Sequence, residues 1–147
     1  GGVYAPKEYF KGIREICDEF GIVFIADEIA IGMGRTGKWW CIENYDVVPD
    51  LITTSKALSG GVWPLSAVIG KREIMNTWSG HPDKHMGTWH GSAIGCKAAV
   101  TTINEIEKKP PSKCGQYGSI LQGGTAGASE KTRADRVCGR YRAWTGN

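Results

Sequence analysis

The segment IVFIADE, from Ile22 to Glu28, decides the fold of this chain. Its first five residues are apolar and mostly β-branched, and this run of strand length ends abruptly at Asp27. Apolar residues without polar alternation are typical of a strand that is buried on both faces, as in a parallel sheet. We therefore predict a buried strand over residues 22–26, with Asp27 at its carboxyl end.

Helical and strand-like patterns alternate on either side of this strand. Upstream, apolar residues recur at helical spacing between Pro6, which suits a first helical position, and Gly21, which favours a helix end. This alternation predicts an α/β fold, with a mostly parallel sheet flanked by helices. The elements that we predict downstream are helices at 38–45, 71–78 and 92–108, strands at 51–54 and 65–69, and a loop at 79–91.

Charge and composition both change near residue 110. Residues 1–109 carry a net charge of −1, whereas residues 110–147 carry +4. The segment after Pro111 is rich in glycine and lacks a clear helical or strand period. We therefore predict a folded region over 1–109 and an irregular basic tail over 110–147, which is either disordered or the product of a shifted reading frame.

Several classes of partner and compartment are disfavoured. A nucleic-acid partner is not expected, because the basic excess lies in a tail without the pattern of a binding module. No apolar run approaches the roughly 20 residues of a membrane span. The five cysteines are an odd number without a C-x-x-C pair, which favours reduced thiols and a cytoplasmic location. The three histidines, at 81, 85 and 90, lie among glycine and proline, where a zinc-binding helix is implausible, so we predict no metal site.

Asp27 and Lys56 each follow a predicted strand. Taken alone, Asp27 suits a helix N-cap or an ion pair with Arg35, and Lys56 is one of 11 lysines, most of which should be solvated. Ligand chemistry in α/β sheets, however, gathers beyond the carboxyl ends of the strands. A lysine amine can condense there with an aldehyde, and a carboxylate can keep a pyridine nitrogen protonated. The pair therefore suits pyridoxal 5'-phosphate (PLP), which needs both groups at its ring.

Several ordered motifs resemble those of the class III aminotransferases, which are PLP enzymes of fold type I. The separation of 29 residues between Asp27 and Lys56 matches that family, and the similarity runs from Gly1 to about Lys108. The resemblance identifies the chain as a central fragment of the family's large domain. The motifs that carry it are DEI at 27–29, GMGRTG at 32–37, PDLI at 49–52, SKALSGG at 55–61 and GTWHG at 87–91.

The resemblance implies roles for four residues. Lys56 would form the internal aldimine with PLP and would move the proton during transamination between an amine or amino acid and a 2-oxo acid. Asp27 would pair with the pyridinium nitrogen, and Ile29 would pack against one face of the ring. Thr88 would bind the cofactor phosphate from the neighbouring subunit of a homodimer.

The chain departs from the family pattern at two places. Ala30-Ile31 stands where the family usually has Gln-Thr, so the glutamine that hydrogen-bonds the cofactor's phenolic oxygen has no counterpart. Ser92-Ala93 stands where the family has Asn-Pro. Family members are also much longer, and they carry a phosphate loop and a substrate-binding arginine outside the matched region. Two alternatives stay open, namely a racemase, epimerase or decarboxylase of the same PLP chemistry, and a truncated fragment without activity.

Overall fold

A computed structural model describes residues 5–108 of the chain. This part combines helices with one small sheet, so the predicted α/β class is confirmed, while the predicted tail over 110–147 lies outside the described residues. Within residues 5–108, no helix is long and apolar enough to cross a membrane. The helices are α1 (Lys7–Phe20), α2 (Arg72–Met75) and α3 (Ala93–Lys108), the strands are β1 (Ile25–Asp27), β2 (Leu51–Thr54) and β3 (Ala67–Gly70), and the 3-10 helices are Cys41–Tyr45, Lys56–Ser59, Asn76–Trp78 and Pro82–His85.

Helix α1 begins one residue later than the sequence predicts and ends at the predicted glycine. Pro6 precedes its first residue, and Gly21 ends it in the left-handed conformation with a φ of 65°. Glycine adopts this conformation without the steric cost of a Cβ atom, and its N–H donates to the Cys17 carbonyl. The Ile22 N–H donates to the same carbonyl at 2.8 Å. The chain therefore leaves α1 and turns at once toward β1.

The three strands form one sheet in the order β1–β2–β3. β1 runs parallel to β2, whereas β3 runs antiparallel to β2. The sheet is therefore mixed, and the prediction of a mostly parallel sheet is wrong for β3. The link from β2 to β3 contains a short 3-10 helix and turns, and a connection without a crossover helix returns the chain in the opposite direction.

Strand β1 is covered on one face. Phe24 and Ala26 are buried, but Ile25 is 53% exposed and Val23 is 46% exposed. The covered face packs in one core cluster with Cys17 of α1. Side chains from residues 40–47 belong to the same cluster. The prediction of a strand buried on both faces is therefore wrong for the part of the chain that the structure describes.

A second core cluster joins α3 to the 3-10 helix at 56–59. Its buried members are Met33, Leu58 and Ala99. The helix approaches closely, because a Cβ atom at Gly95 would lie 2.9 Å from Cδ1 of Trp63. Helix α3 thus confirms the helix predicted over 92–108 to within one residue, and it packs on the segment after β2.

Glu28 is buried in the turn after β1, with 3% of its surface exposed. Its carboxylate accepts hydrogen bonds from the backbone N–H groups of Cys41, at 3.0 Å, and Ile42, at 2.8 Å. Burial raises the pKa of Glu28, and these two hydrogen bonds act in the opposite direction. The helix predicted over 38–45 is confined to a 3-10 turn at 41–45, whose first N–H groups the carboxylate satisfies.

Asp50, at the entry to β2, ties three other segments together. Its Oδ2 accepts from Nη1 of Arg14, at 2.9 Å, and from the backbone N–H of Phe24, at 2.8 Å. Its Oδ1 lies 2.6 Å from Nζ of Lys71. The hydrogen bond from Lys71 is the largest cause that holds the pKa of Asp50 far below its usual range, against the opposing effect of burial.

Replacing Asp50 by Asn should lower the free energy of unfolding by about 2–3 kcal/mol at pH 7, because Arg14 and the Phe24 N–H lose a charged acceptor. The pKa of Asp50 is lower in the folded than in the unfolded protein. Its contribution is therefore present above about pH 4 and is lost as the pH falls below that value. Urea unfolding at pH 7 and pH 3 should show a smaller difference between the two proteins at pH 3.

The matched control for this prediction is Asp18→Asn, which removes the exposed partner of the same arginine. The side chain of Asp18 is 67% exposed, and its pair with Arg14 spans one helical turn. This change should cost about 0.5 kcal/mol or less. Equal losses for the two variants would show that Asp50 does not hold the segments together.

Replacing Glu28 by Ala should lower the free energy of unfolding by about 1–3 kcal/mol, because two backbone N–H groups lose their acceptor in a buried turn. Hydrogen exchange at the amides of Cys41 and Ile42 should accelerate at the same time. Glu19→Ala, at an exposed position of α1, is the control and should leave both measurements nearly unchanged. Unaltered amide exchange in Glu28→Ala would contradict the assigned role.

Candidate cofactor site

The pairing of β1 with β2 places Asp27 and Lys56 at one edge of the sheet. Asp27 is the last residue of β1 and pairs with Thr53 in parallel register. Lys56 comes three residues after Thr53 and opens the 3-10 helix at 56–59. Because parallel neighbours end at the same side, Asp27 stands at the carboxyl end of β1 and Lys56 just beyond that of β2, the edge where ligand sites of α/β sheets lie.

Lys56 has an unusual backbone conformation. Its φ is +40°, a value that favours glycine and is uncommon for a residue with a Cβ atom. The surrounding hydrogen bonds hold it there: the Ser55 hydroxyl donates to the Leu65 carbonyl at 2.7 Å, and the Leu58 N–H donates to the Ser55 carbonyl at 2.8 Å. Strain of this kind persists where the surroundings over-determine it, and it is frequent at functional sites. The side chain of Lys56 is exposed.

A cavity of about 360 Å³ lies beside Lys56. Its small lining residues leave space in front of the amine, and Arg35 is the second charged residue of the wall. The complete lining consists of Ala30, Arg35, Lys56, Ala57, Gly60 and Gly61. The cavity thus combines one primary amine, one guanidinium group and a wall of glycine and alanine.

A larger groove of about 600 Å³ runs between Ser59 and helix α3. Lys97 is its one charged lining residue among residues 5–108, and neither Asp27 nor Lys56 reaches it. The groove is mostly apolar, with Val62 and Ile94 on its walls. We therefore take the smaller cavity as the candidate site, because Lys56 is one of the residues that line it.

Asp27 is exposed, and its Oδ1 accepts a hydrogen bond from the Ile29 N–H at 3.0 Å. Residues 28–37 form turns rather than a helix, so the interpretation of Asp27 as a helix N-cap is wrong. Ile29 is half-buried beside it. Because an ionised carboxylate has about four acceptor positions, Asp27 can accept a further hydrogen bond from a donor outside β1.

Thr88 lies in an exposed turn of the segment 86–91 and does not line the cavity of its own chain. The ring of His90, in this segment, lies 4.9 Å from that of His85, the last residue of the preceding 3-10 helix, and Trp78 stacks on His85. Among residues 5–108, no group of three His, Cys, Asp or Glu side chains could hold a metal ion.

Two residues of this region have roles that the sequence does not predict. The sequence offers an ion pair with Arg35 as one interpretation of Asp27, and the structure places Arg35 in the lining of the cavity together with Lys56. Glu28 is predicted only as part of a motif. The available signal for Glu28 is its position directly after a buried strand, where a carboxylate needs partners. The signal for Arg35 in the sequence is its position in a glycine-rich loop, between Gly34 and Gly37. In the structure these two glycines have φ values of 88° and 90°.

Comparison with known proteins identifies a family that matches most of the chain. The family model described as "Aminotransferase class-III" matches residues 1–126, which extends past residue 109 into the predicted tail. Three solved structures illustrate the similarity. They are an aminotransferase from Bacillus anthracis (36% identity, TM-score 0.75), taurine:2-oxoglutarate aminotransferase from Bifidobacterium kashiwanohense in complex with PLP and glutamate (32%, 0.76) and ornithine aminotransferase from Plasmodium yoelii (32%, 0.72).

The matches cover most of this chain and a minor part of each relative. They span 82%, 84% and 82% of this chain, but 28%, 28% and 31% of the three solved chains, respectively. The matched part includes the sheet edge with Asp27 and Lys56, since the family model covers both. On the strength of this match, the chain belongs to the class III aminotransferases.

Proposed function

We propose that the chain contributes Lys56 and Asp27 to a PLP site, and that the complete enzyme exchanges an amino group between an amine or amino acid and a 2-oxo acid. The observation that carries this proposal is the parallel register of β1 and β2, in which Asp27 pairs with Thr53 and Lys56 comes three residues later. An amine and a carboxylate thereby stand at neighbouring strand ends.

The residues present fit this cofactor by their chemistry. Lys56 offers an exposed primary amine for an aldehyde, and it opens onto a cavity of about 360 Å³, within the size range of small-molecule sites. Ala57, Gly60 and Gly61 have no long side chain that would fill this space. Asp27 supplies an exposed carboxylate for a protonated ring nitrogen.

Each residue of the site has a separate role in the proposed reaction. When bound, PLP supplies an electron sink for the charge that develops at the substrate carbon. Lys56 would hold the cofactor through its aldehyde group, and its amine would carry the proton that moves to and from the substrate carbon. Asp27 keeps the ring nitrogen protonated by its negative charge. Ile29 packs against the ring, and Thr88 binds the cofactor phosphate of the neighbouring subunit in a homodimer.

The names of similar structures favour transamination over the other PLP reactions. The structures from Bifidobacterium kashiwanohense and Plasmodium yoelii are described as aminotransferases, and the first name includes 2-oxoglutarate. A 2-oxo acid is therefore the acceptor that we propose. Because the chain spans less than a third of those structures, the choice of amino donor depends on the complete enzyme.

Incubation with PLP followed by borohydride reduction should modify Lys56 more than the other ten lysines. The reason is that Lys56 lines a cavity and that a carboxylate, that of Asp27, stands at the end of the neighbouring strand. Peptide mapping by mass spectrometry measures the distribution, and Lys56→Arg should remove the main product. Lys11→Arg, at an exposed position of α1, is the matched control. Uniform labelling of all lysines would favour a fragment without a PLP site.

Replacing Asp27 by Asn should weaken PLP binding about three- to tenfold, because a neutral amide no longer stabilises a protonated ring nitrogen. Absorbance titration with PLP measures the dissociation constant. Salicylaldehyde, which lacks the ring nitrogen, should bind Lys56 equally in both proteins, and Asp83→Asn should leave both ligands unaffected. A loss for salicylaldehyde as large as that for PLP would assign Asp27 a structural role instead.

A further inference from the structure

The cavity beside Lys56 is positively charged. Its six lining residues include a lysine and an arginine but no acidic residue within the described part of the chain. Of these six, only Lys56 and Arg35 have side chains that donate hydrogen bonds. Ala30 also lines the cavity, and its methyl side chain is small and cannot donate a hydrogen bond.

We propose that Arg35 is the anion-binding residue of this cavity, so that the cavity selects carbonyl compounds that carry an anionic oxygen within reach of Lys56. This inference rests on the proposed function and deepens it, because it names which chain-encoded group recognises the ligand's negative charge.

The loop that carries Arg35 is held in place. Met33 is buried, has a φ of +56°, and belongs to the same core cluster as Leu58, two residues after Lys56. The Gly34 N–H donates to the Trp39 carbonyl at 3.2 Å, which closes the loop. The segment before Arg35 therefore shares a core with the segment after Lys56, and this packing keeps both side chains on one cavity.

The chemistry of the guanidinium group suits an oxygen anion. Arginine stays protonated at every working pH and presents five N–H donors in a planar fork. Arg35 already has an interaction partner in the structure, and five donors allow it to serve that partner and a ligand together. Arg35 is exposed, so solvent screening limits the gain from one such contact to about fivefold in affinity.

The test uses a covalent step at Lys56. The unprotonated amine adds to an aldehyde carbon, water leaves as the C=N bond forms, and borohydride then transfers a hydride to that carbon while the nitrogen takes a proton from water. Mass spectrometry of the full chain measures the modified fraction of Lys56. The four probes are PLP, pyridoxal, 4-carboxybenzaldehyde and benzaldehyde, the last of which is neutral.

Arg35→Gln should reduce modification of Lys56 by the anionic probes about three- to fivefold and leave benzaldehyde unchanged. Arg35→Lys should restore part of the loss, and Arg72→Gln, at an exposed position of α2, should change nothing. A loss with PLP but not pyridoxal would identify the phosphate as the bound group. Equal losses with both would identify the phenolic oxygen, and a loss with 4-carboxybenzaldehyde a carboxylate.

Two results would overturn the inference: equal losses with all four probes, which would mean general damage to the site, and no loss with any of them. Failure of the proposed function is distinct from either result, because it would appear in the wild-type chain as PLP modification of Lys56 no greater than that of Lys11.

Discussion

The carboxylate of Asp50 is the constraint on which the rest of this structure depends. It joins α1 through Arg14, the approach to β1 through the Phe24 N–H, and the start of α2 through Lys71. An ionised carboxylate that is almost out of water is costly unless donors surround it, and here each oxygen has at least one. The backbone N–H of Asp50 also donates to the Phe24 carbonyl at 2.8 Å. The amino ends of β1 and β2 are thus fastened side by side.

The candidate site lies at the opposite ends of these two strands. Because Phe24 is joined to Asp50, β1 and β2 pair in a single parallel register. This register places Asp27 opposite Thr53. Packing then decides the course of the chain beyond each strand. Buried Met33 and Leu58 hold the two segments in one core, and this packing offsets a backbone strain at Lys56 of order 1–3 kcal/mol.

Much of the architecture could be predicted from local pattern. The bounds of β2 match the prediction, and α1 ends at the predicted glycine, because apolar spacing and a left-handed glycine act within a few residues. The direction of β3, the open face of β1 and the short 3-10 turn at 41–45 could not be predicted in this way. Each depends on a partner distant in sequence: β2 for the strand direction, the covering elements for β1, and Glu28 for the turn.

The sequence by itself determined the chemical groups and their order. It places a carboxylate and an amine each after a predicted strand, 29 residues apart, within motifs of the class III family. Only the tertiary structure decided which groups share a cavity. It brought Arg35 beside Lys56, and it left Thr88 outside that cavity. The physical reason is that apolar periodicity sets secondary structure locally, whereas the meeting of two loops is set by buried side chains, Met33 and Leu58, that no local pattern pairs.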